Sequence, residues 1–144
     1  MRILGMVAAR LLLVDDHPMV RRGIAHVVAN EPDLTVCGEA EDRNSALKAV
    51  AELKPDLMLV DISLRGTDGI DLVRDTCRRF PDVKSLVVSM HDEHLYAENA
   101  IAAGASGYIM KQASGAELIR AIREVLGGGI YLSEQMKARI LRKV

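Results

Sequence analysis

Several polar residues of this chain stand at the ends of short apolar runs. Asp15 and Asp16 follow Leu11-Leu12-Leu13-Val14, and Asp61 follows Leu57-Met58-Leu59-Val60. Glu39 comes after Leu34-Thr35-Val36-Cys37-Gly38, Ser89 closes Lys84-Ser85-Leu86-Val87-Val88, and Lys111 closes Gly107-Tyr108-Ile109-Met110. Taken singly, each is ordinary, since an aspartate after a strand commonly caps a helix or forms a turn. Gathered on one edge, they would place carboxylates, a hydroxyl and an ammonium in a single pocket. Close carboxylates repel by up to about 4 kcal/mol per pair at a protein-like effective dielectric. One lysine does not offset that, so the set implies a divalent cation. Oxygen donors with retained water suit Mg²⁺, with Mn²⁺ or Ca²⁺ as possible substitutes. The chemistry that fits is phosphoryl transfer. Asp61 would attack phosphorus and the cation would neutralise non-bridging oxygens, while Lys111 and Ser89 would hold the others.

These residues share an edge only if the elements between them alternate. Pro18 suits a first helical turn, and Val20, Ile24, Val27 and Val28 recur on one face until Glu31-Pro32-Asp33. Asp42 can cap a helix that buries Ala46, Leu47, Val50 and Leu53 and stops at Lys54-Pro55. Ile70, Val73, Cys77 and Phe80 form the next stripe, ended by Pro81. Asp92 caps an alanine-rich helix that stops at Gly104 and is expected to be the least firmly packed. Ser114-Gly115-Ala116-Glu117 reads as a capping box for a helix through Leu118, Ile122, Val125 and Leu126, ended by Gly127-Gly128-Gly129. Five repeats of strand then helix predict an α/β fold with a parallel sheet wrapped on both faces. Right-handed crossovers then put every strand's carboxyl end on one edge. A closed eightfold barrel needs about 250 residues and is excluded by length.

The 144 residues fit one domain with a full core, and a net charge of -1 provides no global field for nucleic acid. No apolar stretch approaches the roughly 20 residues that span a bilayer, so no membrane role is expected. Cys37 and Cys77 have no metal-ligand spacing; they suit a reducing cytoplasm and read as buried filler. Residues 1–9 read as a loose leader, with Met6 another possible start.

Leu13-Val14-Asp15-Asp16-His17-Pro18, Leu59-Val60-Asp61, Ser89-Met90 and Gly107-Tyr108-Ile109-Met110-Lys111 resemble the receiver domain of two-component response regulators. The resemblance runs from about Arg10 to Ser133. Ser89-Met90-His91-Asp92-Glu93 and Ile130-Tyr131-Leu132-Ser133 are similar to the NarL/FixJ-type subfamily. It implies a flavodoxin-like (βα)5 sheet of order 2-1-3-4-5, with the receiver over 10–128 and a C-terminal linker helix over 129–144. It also implies Asp61 as phospho-acceptor, Asp16 as a direct metal ligand, Asp15 acting mainly through water, and the Ser63 main-chain carbonyl as a further ligand. Ser89 and Tyr108 would be the switch pair, Tyr108 turning inward when Ser89 is drawn to the phosphate. Lys111 is the lysine of the motif.

By the same resemblance the donor is a sensor histidine kinase, and phosphorylation shifts a dimerisation surface so that a homodimer forms. DNA is reached only through a helix-turn-helix output domain, which does not follow here; the alternative is a receiver acting through protein contacts alone. The protein would be a switch rather than an enzyme, with only weak self-phosphorylation and dephosphorylation chemistry. An aspartate-nucleophile phosphohydrolase would want a second aspartate two residues after Asp61, where Ser63 stands. A pseudo-receiver would have lost acidic residues, and none is missing.

Two positions depart from the usual pattern. Arg65 stands where a proline commonly shapes the loop, and Gln112 follows Lys111 where many receivers have proline, so an ordinary trans peptide is expected there. His17, His91 and His94 match no ligand motif and read as surface or helix-start residues. Met90 is bulky enough to limit access to the phosphoryl group. The tail from Ser133 reads as a helix with Met136, Ile140 and Val144 on one stripe and Lys137, Arg139, Arg142 and Lys143 on a solvated face.

Overall fold

The structure, a computed structural model, describes residues 8–64, 69–90 and 92–142. Expectations about the first residues of the leader, Arg65, His91, Lys143 and Val144 lie outside the described residues. The apolar runs form five strands: β1 (Ala9–Val14), β2 (Leu34–Ala40), β3 (Leu57–Val60), β4 (Lys84–Ser89) and β5 (Gly107–Met110). Between and after them run helices α1 (Pro18–Ala29), α2 (Arg43–Leu53), α3 (Gly69–Arg79), α4 (Glu93–Ala103), α5 (Gly115–Leu126) and α6 (Glu134–Arg142). All neighbouring strands are parallel, in the order β2-β1-β3-β4-β5. This is the flavodoxin-like arrangement the sequence predicts.

Side chains alternate across a strand, which is why the runs are apolar throughout. Leu11, Leu13, Leu57, Leu59 and Leu86 face α1 and α5, where Val28, Leu118, Ile122 and Val125 close one core. Leu12, Val14, Met58, Val60 and Val87 face the other way, onto Val50 of α2, Leu72 and Val73 of α3, and Ala97 and Ala100 of α4. The helix ends follow local chemistry. Asp42 and Ser45 form a reciprocal capping box, and Lys54 ends α2 in the left-handed region at φ 48. Gly104 ends α4 at φ 115, a conformation that side chains disfavour. The box expected at Ser114 is half made. Ser114 accepts the Glu117 N–H at 3.1 Å, but the Glu117 carboxylate accepts the Tyr131 hydroxyl at 2.9 Å instead of reaching back.

Three packing expectations are corrected. In α3 the buried positions are Ile70, Leu72, Val73 and Thr76, while Cys77 is exposed and Cys37 half-buried, so neither thiol is core filler. Helix α4 is not the least packed, because Ala97 and Ala100 are fully buried, whereas α1 fully buries only Val28. Small side chains let α3, α4 and β5 approach closely, so low hydropathy there reflects space and not looseness. The tail is also no solvated strap. Tyr131 pairs beside β5, accepting the Tyr108 N–H at 3.0 Å and donating to Ser106 O at 2.9 Å. Leu132 and Met136 join the core beneath α4. Arg139 pairs with Glu98 of α4, and Ser133 hydrogen-bonds Glu93. The Lys111–Gln112 peptide is trans, as expected. No described helix is long and apolar enough to cross a membrane.

Candidate functional site

The chain leaves β1 towards α1 on one face and β3 towards α3 on the other. The crevice between the two strand ends is the topological switch point where such sheets bind ligands. Strand pairing continues one residue beyond each strand, with Asp15 N donating to Ala40 O at 3.0 Å and Asp61 N to Val14 O at 2.9 Å. Both carboxylates are thus fixed side by side, and both residues are buried. Lys111 arrives from β5, its N–H donating to Ser89 O at 2.8 Å. Its Nζ lies 2.9 Å from Asp15 Oδ2 and 3.4 Å from Asp61 Oδ2.

The remaining oxygens are unequally satisfied. Asp15 Oδ1 accepts the His17 main-chain N–H at 2.8 Å, and His17 Nδ1 stands 2.7 Å from the same oxygen. Asp61 Oδ1 accepts the Ser63 N–H at 3.2 Å. Asp16 Oδ1 and Asp61 Oδ2 are buried without a hydrogen bond. One ligand atom each from Asp15, Asp16, His17 and Asp61 can be chosen so that all lie within 4.8 Å of one another. Buried polar oxygens normally have a partner. Asp16 Oδ1 lies 3.0 Å from His17 Nδ1 and Asp61 Oδ2 lies 3.4 Å from Lys111 Nζ. Both carboxylates keep lone pairs that a divalent cation would fill, so these residues fit one.

Ser89 and Tyr108 lie together behind this cluster, both fully buried, with a hydrogen bond between their side chains. Burial pushes the Tyr108 phenol above its ordinary value, against the opposing effect of the Ser89 contact. The sequence reading has Tyr108 turning inward on phosphorylation. In this structure it is inward already, in the core cluster with Ala97 and Ala100 of α4 and Met136 of α6.

Glu39 does not join the cluster. It is exposed in the edge strand β2 and pairs with Arg21 Nε at 2.7 Å. Arg21, unremarked in the sequence, also donates to the Asp15 main-chain carbonyl and so braces the β1 end. His17 stands at the N-cap of α1, the helix-start place the sequence predicts, but its ring faces the carboxylates and not the helix. His94 is exposed on α4 beside Arg139, away from the site. Met90 is exposed and lines the groove between α1 and the β5–α5 turn, next to Lys111. Gly69 is a further requirement: a Cβ there would stand 2.1 Å from the Asp61 carbonyl oxygen. A glycine inside a long turn-rich loop carries no such signal in sequence.

An open five-stranded α/β sheet with paired aspartates, an acceptor-like aspartate and a lysine on one edge defines a receiver-type module. The chain belongs to the response regulator receiver domain family, whose model matches residues 11–123. It is 34% identical over 134 residues to the transcriptional regulatory protein DegU of Brevibacillus brevis, covering 93% of this chain and 57% of that protein. It is 38% identical to the response regulator GacA of Pseudomonas viridiflava, with 93% and 63% covered. Among solved structures, a LuxR-family two-component response regulator from Aurantimonas sp. SI85-9A1 superposes with a TM-score of 0.86 at 34% identity, over 95% of this chain and 98% of that one. The receiver domain of the putative regulator NarL from Mycobacterium tuberculosis gives 0.79 at 29% identity, over 84% and 98%. The chain spans about three fifths of the length of the curated relatives it matches.

Proposed function

We propose that this chain is a phosphorylation-operated switch that accepts a phosphoryl group on Asp61 from the phosphohistidine of a sensor kinase. The observation that carries this reading is Asp61 Oδ2, buried at the end of β3 without a hydrogen bond and 3.4 Å from Lys111 Nζ. In the transfer, an Asp61 carboxylate oxygen forms a bond to phosphorus and the phosphorus–nitrogen bond of the donor breaks. The electron pair leaves with the donor imidazole, which takes up a proton. Asp16 and Asp61 would be the direct ligands for Mg²⁺, since neither Asp16 Oδ1 nor Asp61 Oδ2 is committed to a hydrogen bond. Asp15, engaged by Lys111 and His17, acts at longer range, and the Ser63 carbonyl is the remaining protein donor. The bound ion supplies positive charge to the phosphoryl oxygens. Lys111 holds one of those oxygens and orients the acceptor, and Ser89 donates to another.

Phosphorylation adds charge near -2 and strong acceptor oxygens. Drawing Ser89 towards them alters its contact with Tyr108, which sits in the core with residues of α4 and α6. Taking the switch from mostly off to mostly on requires a differential of about 5.5 kcal/mol. A few charge-assisted hydrogen bonds in a buried pocket supply that. The readout is homodimerisation and, in a longer protein carrying an output domain, control of transcription through DNA. The setting is the cytoplasm, where such kinases present their phosphohistidine. The test is incubation with acetyl phosphate and Mg²⁺, followed by intact-mass analysis of wild type and Asp61→Asn. A phosphoryl adduct on the wild type alone supports the reading. No adduct, with the small donor or a cognate kinase, sinks it.

A further inference from the structure

We infer that His17 is a nitrogen donor to the cation at this site and tilts its preference from Mg²⁺ towards a transition ion that tolerates nitrogen better, such as Mn²⁺ or Co²⁺. This rests on reading Asp16 and Asp61 as cation ligands. His17 is the N-cap of α1, yet its side chain makes no capping hydrogen bond. The ring turns instead to the carboxylates, with Nδ1 at 3.0 Å from Asp16 Oδ1 and 4.0 Å from Asp61 Oδ2. Donors sharing one ion at about 2.1 Å stand about 3.0 Å apart when adjacent and about 4.2 Å apart when opposite. Nδ1 therefore sits at coordination spacing from one oxygen of each of these carboxylates.

The ring can also be released to an ion at little expense. Its side chain is 58% exposed, so the small adjustment that exchanges the Asp15 contact for an ion unpacks no core. If Nδ1 leaves Asp15 Oδ1, that oxygen keeps the His17 main-chain N–H at 2.8 Å and is not orphaned. Pro18 at the first position of α1 restrains the backbone that carries the ring. Mn²⁺ is mainly an oxygen-preferring ion but accepts imidazole nitrogen more readily than Mg²⁺ does, and Co²⁺ more readily still, whereas Mg²⁺ keeps to oxygen and water. Any carboxylate site favours transition ions somewhat, so the diagnostic quantity is the part of the preference that depends on His17.

Calorimetric titration of the whole chain with Mg²⁺ and, separately, Mn²⁺ tests this on wild type, His17→Ala and His17→Gln. Pulsed electron paramagnetic resonance of the Mn²⁺-bound protein then reads directly bound ¹⁴N. Both variants are expected to lose Mn²⁺ affinity by roughly tenfold or more, the scale on which outer metal-site partners already act. Mg²⁺ affinity should change less than about threefold, because nitrogen contributes little to it. The ¹⁴N coupling should be present in wild type and absent in both variants. Unchanged Mn²⁺ affinity in the variants, or no coupling in wild type, overturns the inference while leaving the cation site standing. Tighter binding of both ions by His17→Ala also overturns it, because the ring would then be a competitor of the ion. Failure of wild type to bind either ion removes the cation-site reading as well.

Discussion

Lys111 Nζ lies 3.4 Å from Asp61 Oδ2, with the two side chains only 9% and 3% exposed, and reaches Asp15 Oδ2 at 2.9 Å. One ammonium therefore serves two buried carboxylates. Lys111→Met would leave them facing each other without compensation. Removing one partner of a buried pair costs about 3–5 kcal/mol, and the 20% exposed Asp16 side chain beside them lets water in, so the expected loss is roughly 2–3 kcal/mol. Thermal melts in EDTA should show that loss. Saturating Mg²⁺ should restore much of it, since a ligand at 100 times its Kd contributes about 2.7 kcal/mol. A variant as stable as wild type in EDTA would mean that Lys111 does not offset the cluster.

Gly69 opens α3 directly over the Asp61 main chain, its N–H donating to Ile62 O at 2.7 Å. A Cβ would meet the Asp61 carbonyl oxygen at 2.1 Å and Ile62 Cα at 2.8 Å, and backbone cannot step aside as a flexible side chain could. Gly69→Ala is expected to cost on the order of 2 kcal/mol or more, the scale of overpacking against rigid neighbours. It should also cut phosphoryl uptake from acetyl phosphate, because the shift falls on Asp61. Normal uptake at normal stability would show that the loop relaxes freely.

Arg123 joins the end of α5 to the α1–β2 turn, 2.8 Å from Asp33 Oδ1 and 2.7 Å from Glu31 Oε1. The Arg123 hydrogen bond holds the Asp33 carboxyl below its ordinary value, against a small opposing effect of burial. With the folded value below the unfolded one, the contribution is fully present above the unfolded value. It is lost as pH falls through the folded value. The groups are exposed and screened, so about 0.5 kcal/mol is the expected scale. Arg123→Gln should lower stability at neutral pH, lose less than wild type on acidification, and show a smaller difference in high salt. Parallel acid titrations of the two proteins would expose the pair as inert.

The strands were legible because a sheet buried on both faces needs unbroken apolar runs, and Asp15, Asp16, Asp61, Ser89 and Lys111 each interrupt or end one. Glu39 looked equivalent in sequence, but β2 is an edge strand and its last turn outward is decided by the parity of the pleat and by Arg21. The turn of the His17 ring towards Asp15 and Asp16 leaves no mark in sequence, because spacing says nothing about where an N-cap ring turns. Thr76, not Cys77, faces the core because α3 is rotated slightly from the stripe that Phe80 suggests. The Tyr131 bridge to β5 depends on main-chain groups, which leave no mark on residue type.

The tail was hardest to read, because its apolar stripe meets an alanine-rich helix that shows no stripe of its own. Met136 is fully buried in the same cluster as Ala97, Ala100 and Tyr108. Met136→Ala should therefore behave as a core truncation and cost about 2–4 kcal/mol. In urea the midpoint should fall with the slope unchanged, as for a two-state loss of packing. A solvated linker would show almost no shift. Because Met136 touches the cluster that holds Tyr108, the same variant also reports whether α6 and the proposed switch share one packed unit. If they do, phosphoryl uptake should alter wild-type proteolysis near α6 and leave that of Met136→Ala, already loosened, nearly unchanged.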